Sequence, residues 1–301
     1  MYARRDVLRA GAAISLMAAA PWLAAAPQGL LTRKIPATGE ALPAIGAGTS
    51  GSFEVEPGST AYRQLEQVLS AFFQGGGRVI DTSPNYGGAD AILGQLLEEG
   101  GWHRQCFIAT KIAADSLAAA QTQWAQTLRS LRTEKVDLLQ VHNLRDWKTQ
   151  LPYARELKQQ GKTRYVGITH YLNSGHEEVA AIVRSEPLDF IQVNYAVNAP
   201  QAAKTLLPLC RDKGVAVLIN RAFDDGRLFA QVKDQPLPGW AQQAGIGSWA
   251  QLFLKFATSH PAVTAVIPAT GRPDRQLDQL KAGHGPLLTP AQQQALIQQF
   301  A

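Results

Sequence analysis

The chain is predicted to fold as an α/β protein: a closed barrel of eight parallel strands wrapped by helices, the (β/α)8 or TIM barrel. Three observations predict it. Eight short apolar runs alternate with longer amphipathic stretches over about 240 residues. Most of these runs are near-continuous in their hydrophobicity, as parallel strands covered on both faces require. They also recur every 25 to 35 residues or so, the length of one strand–helix unit. At 301 residues the chain suits one large domain, and no internal repeat or linker divides it.

The elements read in order as follows. Residues 30–42, LLTRKIPATGEAL, carry turn chemistry at Thr38-Gly39 and predict a β-hairpin. ALPAIGAG (41–48) is the first barrel strand. Gly46-Ala47-Gly48-Thr49-Ser50-Gly51 fits a G-x-G-x-x-G dinucleotide pattern, but that pattern needs a helix at its third glycine. Here Pro57-Gly58 exclude a helix before about Ser59. The glycines instead read as a tight loop where backbone can approach a ligand. RVIDTS (78–83) and CFIATKI (106–112) are the second and third strands, and SLAAAQTQWAQTLRSLR (116–132) is a helix. VDLLQVHN (136–143), YVGITH (165–170) and FIQVNYA (190–196) follow. A helix over 203–214 ends at Gly214, a C-cap. VAVLINRA (215–222), a loop at 226–240, and VTAVIPAT (263–270) complete the barrel. Pro273 opens a further helix, and the last helical stretch is 290–300.

Composition narrows the function classes. The chain is 46% hydrophobic and 18% charged, with formal net charge +5. Arg4, Arg5, Asp6 and Arg9 supply two of those five charges. The remainder is too scattered to argue for nucleic acid, and Lys158, Lys162 and Arg164 read as a solvated face. Cys106 and Cys210 have apolar neighbours and read as buried thiols, not as a disulfide framework or a metal knuckle.

Residues 1–26, MYARRDVLRAGAAISLMAAAPWLAAA, set a basic patch before an alanine-rich run too weakly apolar for a permanent membrane span. Arg4-Arg5 followed by Val7-Leu8 resembles a twin-arginine export signal, a route that carries folded proteins to the bacterial periplasm. The segment 1–26 is therefore expected to be an export signal, and 27–301 the barrel domain.

The active site of such a barrel lies at the C-terminal ends of its strands. The second strand ends in Asp81, with Tyr86 in the Pro/Gly-rich loop beyond. The third carries Lys111 near its end, and the fourth His142. Each alone has a structural explanation. Asp81 can cap a loop, Lys111 can snorkel and His142 can sit satisfied in the core. A buried charge without a partner costs several kcal/mol, so three on neighbouring strands should meet one another. Together they perform recognisable chemistry. An ammonium stabilises phenolate, a carboxylate balances the ammonium, and an imidazole beside the phenol can hydrogen-bond a substrate oxygen.

These segments, RVIDTSPNYG, FIATK, VDLLQVHN, YVGITH, FIQVNYA and VIPATGRPDRQLDQL, resemble the aldo-keto reductases in order and over nearly all of residues 30–282. The resemblance implies a hairpin that closes the barrel base. It also implies that Asp81, Tyr86, Lys111 and His142 form the family's catalytic tetrad. Tyr86 would be the general acid in carbonyl reduction. Lys111 and Asp81 would tune it, and His142 would orient the carbonyl. The family binds NADPH extended across the barrel mouth, where Thr49 leaves the first strand. Thr169 and His170 stand where the family usually has Ser-Asn on the nicotinamide carboxamide, and Gln192 matches its glutamine. Asn220 replaces a common stacking aromatic residue. Thr270, Arg272 and Arg275 would hold the adenosine 2′-phosphate at a helix N-terminus, and Gln279 matches an adenine-binding Asn. By their places in loops beyond the strands, Trp102, Trp147 and Phe223 either line the mouth or serve equally as packing residues.

The expected function is therefore NADPH-dependent reduction of a small aldehyde or ketone. The alternative is a nicotinamide-nucleotide binding or redox-sensing protein without turnover, since a periplasm has no obvious NADPH supply. A metal-dependent hydrolase is disfavoured by the lack of an H-x-H cluster, and a serine hydrolase by the lack of G-x-S-x-G.

Overall fold

The computed structural model describes residues 29–300. The proposed export segment 1–26 lies outside them. Two short antiparallel strands come first, β1 (Thr32–Lys34) and β2 (Ala41–Pro43), with Arg33 opposite Leu42. Gly39, at φ 75°, makes the turn between them. The barrel begins with β3 (Ala47–Gly48) and α1 (Thr60–Gln74), which Ser59 caps by accepting from the Tyr62 N–H. It continues through β4 (Val79–Asp81), α2 (Ala89–Glu99), β5 (Phe107–Ile112) and α3 (Leu117–Ser130). Then come β6 (Val136–Val141), α4 (Trp147–Gln159), β7 (Thr163–Thr169) and α5 (His176–Ser185). β8 (Phe190–Asn194), α6 (Leu206–Lys213) and β9 (Ala216–Asn220) follow. α7 (Arg227–Gln231), α8 (Gly239–Gln243) and α9 (Trp249–Thr258) precede β10 (Ala265–Val266). α10 (Pro273–Lys281) and α11 (Pro290–Phe300) end the described chain.

The eight strands β3 to β10 pair in parallel in sequence order. Parallel bridges Ile45↔Val266 and Gly48↔Ala269 join the last strand to the first and close the barrel. A Cβ on Gly48 would come within 2.8 Å of the Ile267 carbonyl oxygen, so this seam needs glycine there. The predicted first strand, 41–48, divides. Its first half belongs to the hairpin and only its end enters the barrel. Both halves are buried, so hydrophobicity alone could not show the break at Pro43. The predicted loop at 226–240 holds α7 and the start of α8.

Two apolar layers hold the fold. The outer one packs the helices onto the strands. The inner one fills the barrel with Val79, Phe107, Leu138, Tyr165, Phe190 and Leu218, and Ile35 and Leu42 of the hairpin belong to it. The hairpin thus plugs the base, and the C-terminal strand ends remain for the site.

Candidate active site

Side chains alternate along a strand, so residues two apart share a face. Val79, Ala109, Leu138 and Phe190 line the barrel's inside. Two residues further on stand Asp81, Lys111, Gln140 and Gln192, which meet as one buried polar cluster. Lys111 is 1% exposed and Asp81 3%, and the Lys111 Nζ donates to Asp81 Oδ1 at 2.5 Å and to the Thr82 carbonyl at 2.8 Å. Gln192 Nε2 and Gln140 Nε2 donate to Asp81 Oδ2 at 2.8 and 3.2 Å. Both oxygens of the carboxylate are thus hydrogen-bonded, one of them twice, which is how a buried charge becomes tolerable.

Tyr86 lies over this cluster. Its ring centroid is 4.9 Å from the Lys111 Nζ, and its edge meets the His142 ring at 5.9 Å and 84°. Burial pushes the Lys111 ammonium toward neutrality, but its interactions with Asp81 first and then Tyr86 outweigh burial and hold Lys111 above its ordinary value. His142 comes immediately after β6, in a 3-10 turn where Asn143 and Leu144 take left-handed φ of 53° and 59°. Non-glycine residues reach that region at a cost, and here the Thr169 Oγ1 accepts from the Asn143 N–H at 3.0 Å. Burial first, then the positive charges of Lys111 and Arg145, push the His142 imidazole down to about 3. It is a neutral ring at any ordinary pH. Arg145 also forms a two-pronged ion pair with Asp115, bracing the loops after β5 and β6.

The structure therefore brings Asp81, Tyr86, Lys111 and His142 together. Thr49 is buried beside them, donating its hydroxyl to Thr82 Oγ1 at 2.8 Å. Thr169 and Gln192 are opposite one another across β7 and β8. His170 follows β7, with Leu172 N–H donating to its Nδ1 at 3.2 Å. Asn220 Nδ2 donates to Gln192 Oε1 and to the His170 carbonyl, both at 3.3 Å. The second group lies apart, at the start of α10. Thr270 Oγ1 accepts from the Arg272 N–H at 3.2 Å. The Arg272 guanidinium, 58% exposed, is paired with both oxygens of Asp274. Arg275 is exposed on the same turn and Gln279 is buried. Asn220 Oδ1 and Gln279 Oε1 are buried acceptors without a hydrogen-bond partner, one in each group. Buried orphan acceptors call for a donor, and a nicotinamide dinucleotide carries one at each end, in its carboxamide and its adenine amine.

Sequence reasoning missed Gln140 and Ser83. Gln140 had a signal: it is polar within an apolar strand and two residues before His142. Ser83, whose Oγ meets His142 Nδ1 at 3.2 Å, had none. Trp102 was misplaced. It precedes β5, so it sits at the opposite end of the barrel, and its ring packs 5.4 Å from Phe73. Trp147 and Phe223 follow β6 and β9 and do lie at the mouth end.

A barrel of this build with this cluster at its mouth defines an α/β enzyme-like scaffold. The profile of the aldo/keto reductase family matches residues 44–299, and the chain belongs to that family. It is similar to the NADH-specific methylglyoxal reductase of Escherichia coli (strain K12), at 24% identity over 209 residues. That match covers 59% of this chain and 62% of the relative. The L-galactose dehydrogenase of Arabidopsis thaliana is 29% identical over 211 residues, covering 64% of this chain and 66% of that protein. The chain thus spans less than two thirds of the length of these curated relatives. An aldo-keto reductase from Klebsiella pneumoniae, solved in complex with NADPH, has a TM-score of 0.75 at 22% identity, covering 91% of this chain and 96% of that one. At that identity the likeness is one of fold.

Proposed function

We propose that the protein reduces an aldehyde or ketone to an alcohol by hydride transfer from NADPH. The observation that carries this reading is the buried Lys111–Asp81 pair beneath the Tyr86 ring, with the neutral His142 ring at its edge. When bound, the cofactor supplies the hydride to the carbonyl carbon. Tyr86 gives its phenol proton to the carbonyl oxygen, and Lys111 stabilises the phenolate that remains. Asp81 keeps the ammonium in place, and Gln140 and Gln192 hold the Asp81 side chain in position. His142 hydrogen-bonds the carbonyl oxygen and fixes its direction. Solvent returns the proton to Tyr86 after the alcohol leaves.

Thr49, Thr169, His170, Gln192 and Asn220 would hold the nicotinamide half, and Thr270, Arg272, Arg275 and Gln279 the adenosine half. The two arginines favour a 2′-phosphate and hence NADPH. Asp274 opposes them, and the Escherichia coli relative is described as NADH-specific. Residues 1–26 support export to the periplasm by the twin-arginine machinery, which cell fractionation would test.

The deciding experiment mixes the purified protein with NADPH and a panel of small aldehydes, ketones and sugars, beside Tyr86→Phe. The expected outcome is NADPH oxidation in the wild type and a loss of roughly 100- to 10,000-fold in the variant. Tight NADPH binding without turnover on any substrate would instead favour the sensor reading.

A further inference from the structure

Ser83 stands between Asp81 and Tyr86 and is 0% exposed. Its Oγ has two neighbours. It accepts from the Asn85 N–H at 3.3 Å, and it meets His142 Nδ1 at 3.2 Å. A hydroxyl has one hydrogen to give and two lone pairs. The Asn85 contact uses a lone pair. The hydrogen, closed off from water, needs an acceptor, and among the described residues His142 Nδ1 is the one within reach. If Nδ1 carried the ring proton, the serine hydrogen would be buried with nothing to receive it. That mismatch disfavours the Nδ1–H tautomer by a factor on the order of ten to a hundred.

We infer that Ser83 is a positioning residue that donates to His142 Nδ1, fixes the ring proton on Nε2, and so turns the other edge of the imidazole into a hydrogen-bond donor. This inference rests on the reading of His142 as the group that orients the carbonyl. Its consequence for that reading is a matter of sign. An Nε2–H points a positive hydrogen at the substrate oxygen. The opposite tautomer would point a lone pair there, and acceptor would face acceptor.

Two further features make the tautomer matter. A charged imidazole would donate from both nitrogens, and Ser83 would then have no say. Burial and the nearby cations Lys111 and Arg145 keep the ring uncharged, so it has a single N–H to place. The serine is also held in its rotamer. The Asn85 N–H bonds its Oγ, and the Tyr86 N–H bonds its carbonyl at 3.1 Å. One short turn therefore carries both the proton donor and the group that sets the polarity of its partner.

The test reads the ring directly. The chain has six histidines, so nitrogen NMR of protein labelled at histidine gives few signals, and His142→Gln identifies the one that matters. The expected result at neutral pH is a wild-type His142 with Nε2 protonated and Nδ1 bare. In Ser83→Ala the signals should shift toward a mixture of tautomers, and kcat should fall roughly tenfold while the affinity for NADPH stays unchanged. A wild-type ring protonated on Nδ1 would overturn the inference, as would a Ser83→Ala ring with unchanged tautomer. Should Ser83→Ala not fold, Ser83→Thr, which keeps the hydroxyl and should keep the Nε2–H tautomer, is compared with Ser83→Cys, a weaker donor that should loosen it; no difference between them would overturn the inference. The spectrum requires no turnover, so the tautomer can be settled even if Tyr86→Phe shows that the proposed reaction is wrong.

Discussion

Asp274 accepts with both carboxylate oxygens from the Nε–Nη2 edge of the Arg272 guanidinium, in the corner proposed for the 2′-phosphate. Both side chains are exposed, so the pair is worth little to stability. Its effect falls on selectivity. A phosphate arriving there must share Arg272 with a like charge. Asp274→Asn removes that charge and leaves the arginine in place. The expected outcome is tighter NADPH binding by about two- to fivefold, with NADH binding little changed. Fluorescence titration with both cofactors checks it. Equal gains for the two, or none, would mean that this corner does not read the 2′-phosphate.

At the scale of elements, the β1–β2 hairpin and the strand ends divide the labour of the barrel. The hairpin's Ile35 and Leu42 sit in the inner core with Phe107 and Tyr165, at the end opposite Lys111 and Tyr86. Leu42→Ala should therefore act on stability alone. Large-to-small changes at such a site cost about 2–5 kcal/mol. Urea unfolding should show that loss, while NADPH affinity stays at the wild-type value. A parallel loss of affinity would contradict the separation of base from mouth. Sequence pattern reached this element but misjudged its boundary. LLTRKIPATGEAL announced a hairpin through Thr38-Gly39, yet ALPAIGAG read as one strand because both of its halves are buried against different parts of the same core.

For the whole molecule, burial of histidines sets a pH dependence. His142, His176 and His260 are all held below the ordinary histidine value of 6.5, with burial as the first cause. Well above that value they are neutral whether the chain is folded or not, and they contribute no slope. As pH falls through it, the unfolded chain takes up protons that the folded chain refuses, so stability declines. For His142, pushed down to about 3, the decline continues to that pH. The melting temperature should drop steadily between neutral pH and pH ~5, and His142→Gln should flatten the slope. An unchanged melting temperature over that range would show that these rings take up protons in the folded state.

The features legible in the amino-acid order were periodic and local. Apolar runs at regular spacing gave the barrel, and the order Asp81, Tyr86, Lys111, His142 along three strand ends gave the centre of the candidate site. Parity along a strand carries that information, because a polar residue late in an apolar strand must face the barrel mouth or remain unpaired. What each group touches follows only from the folded chain. It placed Trp102 at the base, because a residue before a strand and one after it lie at opposite ends of the barrel. It set Gln140 and Gln192 on the carboxylate of Asp81. It brought Ser83 to His142 across 59 positions of sequence. Contacts between residues so far apart are fixed by the closure of the sheet, and no local pattern in the chain encodes their geometry.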